Sequence, residues 1–134
     1  MTRHSGKKEA AKGLRLSAYR IGGAAPKGAL RLGTVRHLPR GVRREQRGDY
    51  FDVWLPLLSP SRELLRWWLD GEMTDARFKT FTKRYEREMA GSDTKGAIAL
   101  VAAMAKRIPV ALGCYCERKQ CHRFVLEELV RKSG

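Results

Sequence analysis

The chain has 134 residues, 43% of them hydrophobic, with 28 Lys and Arg against 14 Asp and Glu and a formal net charge of +14. That length fits one domain with one core, and the composition argues against overall disorder. No apolar run approaches the ~20 residues that cross a bilayer, the basic start is not a secretory signal, and three cysteines cannot form a complete disulfide framework.

Met1 to Gly13 is polar and basic without apolar periodicity, and reads as a flexible tail ahead of a single domain over residues 14–134. Leu14, Leu16 and Ala18 alternate with Arg15, Ser17 and Tyr19, the period of a half-buried strand. Gly22 to Gly28 is a turn. Leu30, Leu32 and Val35 form a second strand, which runs directly into an Arg- and Gly-rich loop from Arg36 to Gly48. Phe51 to Leu58 is a short extended segment interrupted by Pro56.

Helices follow. Ser59 as cap and Pro60 at the first position start one that ends at Gly71, with Leu64, Leu65, Trp68 and Leu69 as its apolar stripe. A second runs from Thr74 to Gly91, and a third from Ser92 to Arg107. Pro109 breaks the chain, and Val110 to Cys114 reads as a fully buried strand. A last helix begins near Cys121 or His122 and buries Val125, Leu126, Leu129 and Val130. The order predicts an α/β domain with a short, mostly parallel sheet flanked by about four helices.

All three cysteines fall in one loop, Cys114-Tyr115-Cys116-Glu117-Arg118-Lys119-Gln120-Cys121-His122-Arg123, between that strand and the last helix. Crevices beyond the carboxyl ends of parallel strands are where ligands sit in open α/β sheets. A helix N-terminus there favours anions and lowers a thiol's pKa. Cys116 and Cys121 are candidate nucleophiles, and His122 and Glu117 candidate acids or bases. Arg118 and Arg123 are candidate anion ligands, and Cys114 is a core filler at the strand end. The spacing does not fit the phosphatase loop, because six residues rather than five separate Cys116 from Arg123. Cys114, Cys116, Cys121 and His122 also suffice for a structural zinc site, although their spacing departs from two separated ligand pairs. The residues call for no cofactor.

These motifs resemble the domain-of-unknown-function 488 family. Its cysteine-containing strand, acidic loop residue and Cys-His-Arg triplet fall on Cys114, Glu117, Cys121, His122 and Arg123. Arg36, Pro39, Arg40 and Gly41 match a basic turn of its YeaO-like branch, and Phe51 to Ser61 resembles the segment that follows. Thr34 stands where that branch usually has an acid, and Leu38 replaces a Trp. The resemblance implies a small cytoplasmic α/β protein with no settled activity. It also implies a shared rim: if the strands before Arg36 and before the cysteine loop are parallel neighbours, Arg36, Arg40, Glu117, His122 and Arg123 surround one pocket. Pro39 and Gly41 then shape the turn, and Asp52 pairs with one of the arginines.

Three functions fit. The first is a small enzyme acting on a phosphate-bearing nucleotide or nucleic acid. The second is a basic nucleic-acid-binding module with an inert loop. The third is a zinc-stabilised interaction domain. The charge supports polyanion partners: residues 1–48 hold 13 Lys and Arg against 2 Asp and Glu, whereas the remainder holds 15 against 12. Oligomeric state leaves no trace in the sequence.

Overall fold

A computed structural model describes residues 13–38 and 41–134. The tail reading therefore lies outside the described residues except for Gly13, and so do the roles expected of Pro39 and Arg40. The strands are β1 (Leu16–Arg20), β2 (Leu30–Gly33), β3 (Val53–Trp54) and β4 (Val110–Cys114), and short 3-10 turns span Arg44–Asp49 and Pro56–Leu58. The α-helices are α1 (Arg62–Leu69), α2 (Asp75–Met89), α3 (Ser92–Ala105) and α4 (His122–Ser133). Among the described residues no helix is long and apolar enough to cross a membrane.

The sheet order is β1-β4-β2-β3, and every pairing is parallel. β4 is therefore central, which is why Val110, Ala111 and Leu112 are all fully buried and the strand reads as a continuous apolar run. Its two faces serve different cores. Val110 and Leu112 join the helices in a cluster that includes Leu64, Trp68, Phe81, Tyr85, Val101, Leu126 and Val130. Ala111 joins Tyr19, Ile21, Val35 and Phe51 on the other face, which loops rather than helices cover.

On that loop-covered face the space is tight. A Cβ at Gly113 would lie 2.6 Å from the Tyr19 ring, so only glycine lets the ring lie against the central strand. The Tyr19 hydroxyl donates to the Tyr50 carbonyl at 2.6 Å, and burial pushes its pKa up to about 12.

The helix starts show which local signals prevailed. The cap of α1 is Ser61, whose hydroxyl accepts from Leu64 N at 3.1 Å, not Ser59. Pro56 instead opens a 3-10 turn, and the Ser59 hydroxyl donates back to the Pro56 carbonyl, so the helix starts later than Pro60. It also stops at Leu69, with Asp70 as its end residue, before Gly71. Thr74 caps α2 as its sequence suggests, accepting from Arg77 N at 3.2 Å.

Candidate active site

β2 and β4 pair in register through Gly33 and Gly113, so the chains leaving both strands emerge at the same rim of the sheet. Thr34 joins them. It is fully buried, its N–H and hydroxyl both donate to the Gly113 carbonyl (3.0 and 2.9 Å), and its own carbonyl lies 2.7 Å from His122 Nε2. A carbonyl only accepts, so Nε2 carries a proton directed at it. The other ring nitrogen faces sulfur, with Nδ1 3.9 Å from Cys121 Sγ. The imidazole is itself buried and meets the Tyr85 ring edge-on at 5.6 Å between centroids.

Cys114, Cys116, Cys121 and His122 share the wall of one small cavity of about 90 Å³. Leu65, Trp68, Leu69, Met73 and Phe81 from α1, the following turn and α2 supply its apolar side. Cys114 and Cys116 are half-buried, and Cys121 is buried. Cys121 acts as the shared S–H donor. Its proton holds the Cys114 thiol well below the usual thiol range, with His122 adding to the effect and burial opposing it. The same donor brings Cys116 down to about 6, helped by a backbone N–H and by Arg123. Cys121 is pushed up in turn, because its neighbours' sulfurs and burial both retain its proton, with only the Arg123 backbone N–H pulling the other way.

Arg123 is the cationic partner. It is 6% exposed, and its Nη1 donates to the Cys116 carbonyl at 2.6 Å and to Cys121 Sγ at 3.2 Å. Among the described residues no carboxylate pairs with it. A buried guanidinium without a counter-charge is costly. The sulfur cluster is the group placed to supply that charge.

The other expected site residues lie further out. Glu117 is exposed and pairs with Arg20 at 2.8 Å at the end of β1, outside the cavity wall. Arg118 is exposed and reaches the Met73 carbonyl (3.4 Å) and Gln120 (3.1 Å), while Gln120 donates to Asp75 at 2.6 Å. These bonds tie the cysteine loop to the N-terminal end of α2. Arg36 turns toward the start of α1, where Nε and Nη2 each donate to the Pro60 carbonyl at 3.2 Å. Gly41 takes a left-handed φ of +83°, a turn conformation that glycine tolerates. Asp52 pairs with Arg31 on β2, not with Arg36: its carboxylate accepts from Arg31 N at 2.8 Å and from Nη2 at 3.1 Å. Arg31 thereby holds the carboxyl below the usual carboxylate range.

Sequence reasoning did not mark Thr34 as the link between the loops, nor α1 as the roof of the cavity. The only sequence signal for the second is the stripe of Leu65, Trp68 and Leu69, which equally describes a core face. Cys114, Cys121 and His122 place one ligand atom each within 4.8 Å of one another, so a metal ion could be held by two thiolates and an imidazole. The proton on Nε2 of His122, directed at a backbone carbonyl, orients the ring as such ligands are oriented.

A family model described as the active DUF488-N3 subclade, DUF488-N3a, matches residues 15–134. No curated protein matches the chain. No solved structure matches it either.

Proposed function

The chain belongs to the DUF488-N3a family over nearly its whole length, and we propose, from the chemistry of its cysteine loop, that it is a small thiol-dependent enzyme acting on a phosphate-bearing nucleotide or nucleic acid. One observation carries the reading: Arg123 is buried with its Nη1 3.2 Å from Cys121 Sγ and on the Cys116 carbonyl, with no carboxylate partner among the described residues. A cation so placed favours a thiolate in the cluster, and a thiolate is the nucleophilic form of cysteine. The imidazole Nδ1 on the same wall is positioned to exchange protons with the sulfurs.

The chemistry this supports is a displacement at an electrophilic carbon. The Cys114 sulfur donates an electron pair and forms an S–C bond. The bond from that carbon to its leaving group breaks with its pair, and the leaving group takes the Cys121 proton. Once the Cys114 charge is in the new bond, the attraction that kept the proton on Cys121 is gone. Water then attacks the carbon, its proton returns to Cys121, and the S–C bond breaks to restore the Cys114 thiolate. Cys116, at the more open edge, is the alternative nucleophile. Glu117, Arg118 and Arg36 contribute position and charge at the rim.

The test incubates the protein with pools of nucleotides and oligonucleotides and follows products and protein adducts by mass spectrometry. Product formed by the native protein and lost in Cys114→Ser and His122→Asn, with folding retained, supports the reading. Full turnover in Cys114→Ser and Cys116→Ser alike overturns it. Stoichiometric zinc with thiols inert to iodoacetamide also overturns it, in favour of a metal-stabilised interaction domain. Salt-sensitive nucleic-acid binding with no product in any pool leaves a basic binding module instead.

A further inference from the structure

Resting on that reading, we infer that the phosphate of the substrate is held by Arg62 and Arg66 of α1, in a cleft beside the thiol cavity. The cavity itself cannot take it. Its volume is about 90 Å³, and the side facing the thiols is built from Leu65, Trp68, Leu69, Met73 and Phe81. Moving a phosphate out of water into such walls leaves its charge uncompensated. The charged part of a substrate must therefore stay outside while a small uncharged part enters.

A second, more open cleft of about 400 Å³ adjoins the first. Leu65 and Leu69 line both, so one helix face forms their common wall. The cleft is otherwise lined by His37, Arg62, Arg66 and Asp70. Arg62 and Arg66 are four residues apart and project from the same side of α1. Both are exposed, and among the described residues neither is in an ion pair, so their guanidinium forks are free for a ligand. Two such forks bind phosphate oxygens with both charge and direction. Asp70 places one carboxylate against these two cations.

The start of α1 does not serve in their place. Ser61 N–H and its hydroxyl are already taken by the Glu88 carboxylate, at 2.8 and 2.5 Å. Arg36 fixes the loop that carries His37 by donating to the Pro60 carbonyl. The cleft is thus framed by β2's outgoing loop on one side and α1 on the other. A nucleotide spanning the two hollows would leave its phosphate on α1 and present its uncharged part to Cys114 and Cys116.

Calorimetric titration with nucleoside monophosphates, and with the parent nucleosides, tests this. Arg62→Gln with Arg66→Gln should weaken monophosphate binding about tenfold or more, the loss expected when charge-assisted hydrogen bonds are removed. Arg43→Gln with Arg44→Gln removes the same charge elsewhere and should change it far less. Iodoacetamide labelling of Cys116 at the native rate in the Arg62→Gln/Arg66→Gln protein, beside weakened monophosphate binding, separates loss of binding from loss of the thiol chemistry. An oligonucleotide without a terminal phosphate distinguishes the sources: dependence on the two arginines assigns an internal diester, and independence assigns the free nucleotide. Equal binding of nucleoside and monophosphate, or an Arg62→Gln/Arg66→Gln protein of native affinity and native melting, overturns the inference.

Discussion

At the scale of single residues, the sulfur cluster is governed by what surrounds it. Cys116 is brought down to about 6 chiefly by the Cys121 thiol that donates to it. An ordinary thiol titrates near about 8.5, so alkylation of Cys116 by iodoacetamide should reach half its maximal rate well below that pH. Arg123→Met removes the buried cation while keeping volume, and should shift that midpoint upward and slow labelling at neutral pH; a rate profile with pH, read by mass spectrometry, checks both. Packing on the opposite face makes a separate demand. Gly113→Ala would drive a methyl to 2.6 Å from the Tyr19 ring. Overpacking of this kind costs about 1–3 kcal/mol, measurable as a lower denaturation midpoint in urea.

At the scale of elements, the rim depends on two chain exits held together by Thr34. Thr34→Val keeps the shape and deletes a buried hydroxyl that donates to the Gly113 carbonyl at 2.9 Å. A loss of about 1 kcal/mol is expected for one such bond, with a change in the ring proton signals of His122 by NMR as the readout specific to the site. The edge pairing of β2 with β3 has its own electrostatic tie in Arg31 and Asp52. The Asp52 carboxyl is held below its ordinary value by the Arg31 side chain and backbone N–H. A depressed carboxylate adds stability above its unfolded pKa and loses that contribution as pH falls through the folded value. Acid unfolding of Asp52→Asn should therefore be flatter across that range than that of the native protein, although both partners are partly exposed and water screens the pair. Denaturation curves across the acid range decide it.

At the scale of the molecule, the surplus of positive charge is the dominant long-range feature. Of the net +14, most lies within residues 1–48. Association with single-stranded nucleic acid should weaken linearly in log–log plots against salt, with a slope of about −0.7 per phosphate neutralised. Deleting residues 1–12 should reduce that slope, and fluorescence anisotropy at several salt concentrations measures it. Such binding is a property of the field and can coexist with the chemistry proposed for the rim.

The sequence by itself determined the period of each element, the central buried run of β4, the Thr74 cap and the concentration of thiols beside His122. These are local: alternation, capping and composition act over a few residues, and Thr74 or Val110–Cys114 can be read without knowing what they touch. Even there, Ser61 displaced Ser59 as the cap, because the Ser59 hydroxyl is spent on the Pro56 carbonyl of the preceding 3-10 turn, while Ser61 is also held by the Glu88 carboxylate 27 residues away. Only the tertiary structure decided the order β1-β4-β2-β3 and the all-parallel pairing that brings two distant loops to one rim. It also turned Arg36 onto backbone carbonyls, gave Asp52 to Arg31, and set Arg62 and Arg66 beside the thiol cavity. A charged side chain carries no mark in the sequence of which partner it will meet, because that partner is chosen by the packing of elements and not by its neighbours along the chain.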